Sequence, residues 1–366
     1  MTQINRHPQT VHSNHQGIPD YPGFVISNET THWTMDFPKG ETGDLQVGAG
    51  TVINFNIAVA RRSKKVLLVD QSPEVVAMNM SYYRPLFLAA ETPAELAAFI
   101  AGVEPRPGET VSAVFDRVKA GAKGSDEGLA FLDKRLAKLA QSRKISALDR
   151  KFAMAVAHDE VHPPTQDGVV PVFNNVRRHN NLIGSFMELY DLDGRRESLR
   201  QSLAEAESRE RRQAGGGWVI SIQDLFGRVS SSSIRDQIAE EQEKFAKSSF
   251  MTEEGFGYIK GLFRDKQVHY AQANLESPEL WRDIKGFAER EKRSLSDLYV
   301  SNIPSVSRNG NVFKNNVLYG LLEVPQEKLV WIEAPYTPHS RFTNFHIKQL
   351  PGESAFCAVL LQRTAE

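Results

Sequence analysis

Residues 44–70 read DLQVGAGTVINFNIAVARRSKKVLLVD, and the fold class turns on this stretch. DLQVGAG is a short apolar run that ends in glycines. NFNIAVARRS has apolar residues at helical spacing, and KKVLLVDQS is a second apolar run that closes on an acid. The pattern predicts strand, glycine turn, helix, strand. Two strands joined through a helix pair in parallel, because a parallel pair needs a crossover that a hairpin cannot supply.

Outward from this unit the pattern changes. Residues 1–20 are polar, with Pro8, Gly17 and Pro19, and read as a flexible N-terminal arm. Residues 73–265 carry apolar residues three and four apart in PEVVAMNMSYYRPLFLAA, TPAELAAFIAG, DEGLAFLDKRLAKLAQS and LDRKFAMAVAHDEV. They read as a mainly helical insertion, a lid or substrate region. Thr92, Pro93 and Glu95 form a helix start: Thr92 as N-cap, proline at the first helical position, glutamate in capping-box position. RRESLRQSLAEAESRERRQ is nearly all polar and predicts an exposed helix ended by Gly215, Gly216 and Gly217.

Strand-like runs resume at 266–273, 296–302 and 328–334. Two further runs, 341–349 and 354–363, flank Leu350-Pro351-Gly352-Glu353, a tight-turn signal that predicts an antiparallel hairpin. The expected organisation is one α/β domain from 21–72 and 266–366, mostly parallel and closed by a hairpin, with residues 73–265 inserted.

Composition narrows the function classes. The chain has 366 residues, 44 Lys plus Arg and 45 Asp plus Glu, a formal charge of −1. This removes the broad basic footprint of a nonspecific nucleic-acid binder. The single cysteine, Cys357, makes neither an internal disulfide nor a cysteine-based zinc site, so a reducing cytoplasm is the expected compartment. No run approaches the roughly 18 apolar residues of a membrane span.

Gly48-Ala49-Gly50 lets backbone approach a ligand at the start of a helix. Asp70 ends the second strand twenty residues later, where a carboxylate can accept both hydroxyls of a ribose. The plain alternative is a tight turn beside a helix-capping acid. A dinucleotide fingerprint needs a small residue at the third glycine position, and here that residue is Ile53. There is no GxxxxGK[ST] either. S-adenosylmethionine (SAM) has no phosphates and tolerates a shorter glycine pattern.

These motifs, with the terminal hairpin, resemble the Rossmann-like sheet of class I SAM-dependent methyltransferases with a large helical insertion. Ser301-Asn302-Ile303-Pro304 resembles the Asn-x-Pro-aromatic motif of enzymes that methylate amino groups. The next position, Ser305, departs from the aromatic and disfavours flat nucleic-acid bases. FVISNE (24–29), SFMTEEGF (249–256) and YVSNI (299–303) are similar to an uncharacterised bacterial group assigned to this superfamily.

The resemblance implies SAM as cofactor. Gly48, Ala49 and Gly50 would lie at its methionine end, Asp70 and Gln71 at the ribose, and Ala273 and Asn274 at the adenine. Ser301, Asn28 and Glu29 would complete the cofactor mouth, and Asn302 would orient the nucleophile. The substrate would be a small molecule, and homo-oligomerisation is left open. Some proteins of similar fold break another SAM bond, transferring the aminocarboxypropyl arm or cyclising it to azetidine-2-carboxylate. Such a pocket needs aromatics facing the sulfonium, for which Tyr82, Tyr83 and Phe173 are candidates beside ordinary helix packing. A non-catalytic interaction module is the third reading.

Other clusters read as structure. His158 and His162 stand one helical turn apart without an HExxH pattern, and Pro163-Pro164 ends the helix, so no metal site is expected. Ser230 to Ser233 lack a nucleophile-elbow context.

Overall fold

The computed structural model describes residues 43–161 and 249–301 with short breaks, positions 317 and 320, and segments 329–333 and 346–350. In chain order the first elements are β1 (Leu45–Ala49), α1 (Ile53–Arg61) and β2 (Lys65–Asp70), then a π-helical turn (Met78–Tyr83). Next come α2 (Arg84–Ala89), α3 (Pro93–Ala101), α4 (Val111–Lys119), α5 (Asp126–Gln141) and α6 (Ala147–Val161). A 3-10 turn (Ser249–Met251) leads into α7 (Glu253–Arg264), β3 (Val268–Gln272) and α8 (Pro278–Glu291). The last elements are β4 (Leu295–Ser301), β5 (Leu329–Glu333) and β6 (His346–Leu350).

The strands form one six-stranded sheet in the order β3-β2-β1-β4-β5-β6. The first four contacts in that order are parallel. β6 joins β5 antiparallel, from Leu329 opposite Leu350 to Glu333 opposite His346. The antiparallel edge is therefore made by the first of the two C-terminal runs against β5. The second run, 354–363, lies outside the described residues, as do Pro351 and Gly352 of the expected hairpin turn.

β1 is buried at every position, and β2 at all but Asp70. A parallel strand covered on both faces reads as a continuous apolar run rather than an alternating one, which is why LQVGA and KVLLVD looked as they did. Alternation still sorts the faces. Leu45, Val47 and Ala49 pack with Leu67, Val69 and Ala271 against Leu280, Trp281, Ile284 and Phe287 of α8. On the other face Ile53 and Ile57 of α1 cluster with Tyr299, Val330 and Ile332. Helices on both faces of a mostly parallel sheet define a doubly wound α/β layer structure. Burying an aliphatic side chain contributes about 1.5–3 kcal/mol, so these two layers carry most of what holds the sheet.

By internal packing the chain divides into two compact units, one with residues 29–71 and 261–366 and the other with residues 72–260. The second unit is helical where described. Thr92 accepts a hydrogen bond from Glu95 N–H at 3.1 Å, with Pro93 at the first helical position. The Glu95 carboxylate reaches back to Glu91 N–H rather than to the N-cap residue itself. Ser146 and Asp149 form a full reciprocal capping box at the start of α6. The segment expected as one helix over PEVVAMNMSYYRPLFLAA widens into π geometry before Pro85. Proline has no N–H for the carbonyl four residues back and its ring crowds that carbonyl, so a wider turn there relieves a local conflict.

Candidate functional site

In open doubly wound sheets ligands bind beyond the carboxyl ends of the strands where strand order reverses, and in this sheet the reversal falls between β1 and β4. β1 pairs with β2 from Leu45 opposite Lys65 to Ala49 opposite Val69. One further step puts Gly50 beside Asp70. The Gly50 N–H donates to Asp70 Oδ2 at 3.2 Å. The Asp70 carbonyl accepts from Ala273 N–H at 2.9 Å, which ties the end of β2 to the end of β3. On the β4 side Gly48 stands opposite Tyr299, so the same register brings Ser301 level with Gly50. The β4–β5 register slips between Tyr299 and Ser301. A slip of this kind re-aims a strand end, and such irregularities recur beside sites.

The two glycines of the turn differ. Gly50 has φ +80°, a left-handed conformation that L side chains rarely adopt, and a Cβ built there meets nothing within 4 Å. Among the described residues nothing fills the place of a side chain at Gly50, at the end of β1. At Gly48 an added Cβ would lie 1.7 Å from Asn54 Oδ1. The space left by its missing side chain is taken by an α1 amide. That amide belongs to a buried chain: Ser63 Oγ donates to Gln46 Oε1 at 3.0 Å, and Gln46 Nε2 donates to Asn54 Oδ1 at 3.2 Å. Asn54 Nδ2 in turn donates to the Ala49 carbonyl at 2.8 Å. Each link satisfies polar atoms that burial would otherwise penalise.

The amino end of the same strands is closed by charge pairs. Arg61 Nε donates to Asp297 Oδ1 at 2.6 Å, and both side chains are almost fully buried. Ser296 Oγ donates to the other Asp297 oxygen at 2.7 Å. Burial pushes the Asp297 carboxyl up from its ordinary value, against the lowering effects of Ser296 and Arg61. Lys65 pairs with Glu291 at 2.6 Å, and Arg293 pairs with Asp44 at 2.9 Å.

The remaining expected site residues fall as follows. Ala273 is buried and Asn274 half-buried, just beyond β3. Ala49 is buried as the last residue of β1, and Ser301 is the last residue of β4. Tyr82 and Tyr83 lie in the helical unit, buried, in edge-to-face contact at 5.2 Å. Asn28, Glu29, Gln71, Phe173, Asn302 and His162 lie outside the described residues. His158 is exposed, and among the described residues no cluster of three or more metal-ligating side chains occurs. Among the described residues no helix is long and apolar enough to cross a membrane.

Sequence reasoning missed the Ser63–Gln46–Asn54 chain and the Arg61–Asp297 pair. The signals were polar residues inside apolar runs: Gln46 in LQVGA, Asn54 in INFNIAVA and Asp297 in LSDLYVS.

Fold and site together define a doubly wound α/β protein with a strand-end acid and an open glycine turn at its switch point. The chain belongs to the family described as Domain of unknown function (DUF7790), whose profile matches residues 24–160 and 175–326. No curated protein matches the chain in sequence.

Proposed function

We propose that this chain is a SAM-dependent enzyme of class I methyltransferase type, acting on a small molecule in the cytoplasm. The observation that carries the proposal is the meeting of Gly50 and Asp70 at the carboxyl ends of β1 and β2. Asp70 receives the ribose hydroxyls. A carboxylate accepts several hydrogen bonds at once, so the bond from Gly50 is compatible with that role. The open side of Gly50 admits the methionine end of the cofactor, and Asn274 beyond β3 is the polar group for the adenine edge. Asn302, next in sequence after β4, orients the acceptor's nucleophile, which is catalysis by positioning. A closing hairpin completes the reading.

Calorimetry with SAM and S-adenosylhomocysteine tests it. Binding of either by the wild-type protein, lost in Asp70→Ala, is the expected result; a folded wild type that binds neither refutes it. Mass spectrometry after incubation with SAM then assigns the reaction. S-adenosylhomocysteine formed only with an acceptor marks methyl transfer. Methylthioadenosine formed without one marks cyclisation or loss of the aminocarboxypropyl arm. Binding without turnover marks an interaction module.

A further inference from the structure

Ala49 O and Gly50 N belong to one peptide unit, and the two atoms point to opposite sides of it. Asn54 Nδ2 donates to the oxygen at 2.8 Å, and the N–H donates to Asp70 Oδ2 at 3.2 Å. The plane is held from α1 at one end and by β2 at the other. Gly50 has φ +80°, and a Cβ added to it would meet nothing within 4 Å, so no packing on its side-chain face fixes this plane. Glycine also tolerates rotation of the preceding peptide better than any other residue. What holds the oxygen therefore helps to set where the N–H points.

We infer that Asn54 is the positioning residue of this crevice: by fixing the Ala49 carbonyl it aims the Gly50 N–H, and through it the Asp70 carboxylate. Gln46 and Ser63 support Asn54 in turn. Gln46 Nε2 bridges the Asn54 carbonyl at 3.0 Å and its side-chain oxygen at 3.2 Å, and Ser63 holds Gln46 from the far side. An amide is suited to this task. It donates to Ala49 while accepting from Gln46, which neither an aspartate nor an aliphatic residue of the same size does when ionised or apolar. The close approach also explains Gly48, since any side chain there would displace the Asn54 amide. That Asp70 so aimed meets a vicinal diol rests on the adenosyl reading above; the clamp itself does not.

The test separates the two. Labelling with carbonyl-13C alanine and 15N glycine leaves signals only from Ala–Gly peptides, which occur at Gly50, Gly102, Gly121 and Gly215. Asp70→Asn moves the Gly50 amide proton upfield by removing a charge-assisted bond. Asn54→Ala is expected to move it the same way, and the double variant no further. A wild-type Gly50 shift in folded Asn54→Ala, with Asp70→Asn still effective, overturns the inference. Asn54→Ser, too short to reach Ala49, serves if the alanine variant does not fold.

The ligand arm compares S-adenosylhomocysteine with its 2′-deoxy analogue. Asn54→Ala should weaken the first about tenfold and the second little, since one aimed hydrogen bond is at stake. Equal weakening of both marks a merely structural role and also overturns the inference. If neither ligand binds the wild type while the Gly50 shifts behave as expected, the adenosyl reading fails and the clamp stands.

Discussion

At the amino end of the parallel strands, acids meet cations: Asp297 with Arg61, Glu291 with Lys65, Asp44 with Arg293. At the carboxyl end, among the described residues, Asp70 meets a backbone N–H, and the neighbouring turn leaves space above Gly50. The two ends come from the same strands and share the same core, so packing does not account for the difference. A buried cation cancels the charge of an acid and fixes it in place. A peptide N–H orients an acid and leaves its charge. The first arrangement suits a closed edge; the second is the one that the proposed ribose contact would use.

The comparison can be broken from either end. Arg61→Ala strands the Asp297 carboxylate in the core and should cost about 3–5 kcal/mol at neutral pH, read as a fall in the urea midpoint. An effect below about 1 kcal/mol, the scale of an exposed pair, would mean the amino end is not the closed one. Gly48→Ala forces the Asn54 amide out of its place and should cost about 1–3 kcal/mol. Gly50→Ala meets no atom and loses only the ease of a left-handed backbone, about 1–2 kcal/mol. The two glycines should separate in ligand binding more than in stability. A methyl at Gly50 enters the crevice directly, whereas one at Gly48 acts through Asn54.

The smallest effect concerns pH. The folded Asp297 carboxyl is raised by burial, so the folded protein keeps a proton that the unfolded chain has already released. Its contribution is complete below the ordinary carboxylate range of about 4 and is lost as the pH rises through the raised folded value. Stability measured across that window should fall less steeply with pH in Asp297→Asn than in the wild type. Equal slopes would mean the site does not hold that proton.

The β1–α1–β2 unit was legible because its runs are mostly apolar and end at a glycine turn and an acid, a local property of the sequence. The meeting of Gly50 with Asp70 follows from a parallel register that those runs permit. The purpose of Gly48 was not legible. A missing side chain can make room for a ligand or for a neighbour, and only the 1.7 Å approach of Asn54 decides. Arg61 and Asp297 are 236 positions apart, and each looked like ordinary polar punctuation until the strand order brought them together. The π turn escaped because three- and four-residue spacing does not separate α from wider helices; Pro85 was the signal to use. At the sheet edge, the Pro-Gly turn drew attention to a partner for 341–349 further along the chain, which lies outside the described residues; the partner among the described residues, β5, lies earlier and carries no such Pro-Gly signal next to this run.

A crystal structure with S-adenosylhomocysteine tests the central claim most directly. The account predicts both ribose hydroxyls within hydrogen-bond distance of Asp70 and the homocysteine arm over Gly50. Ligand bound elsewhere, or a crevice filled by the protein's own side chains, would contradict it.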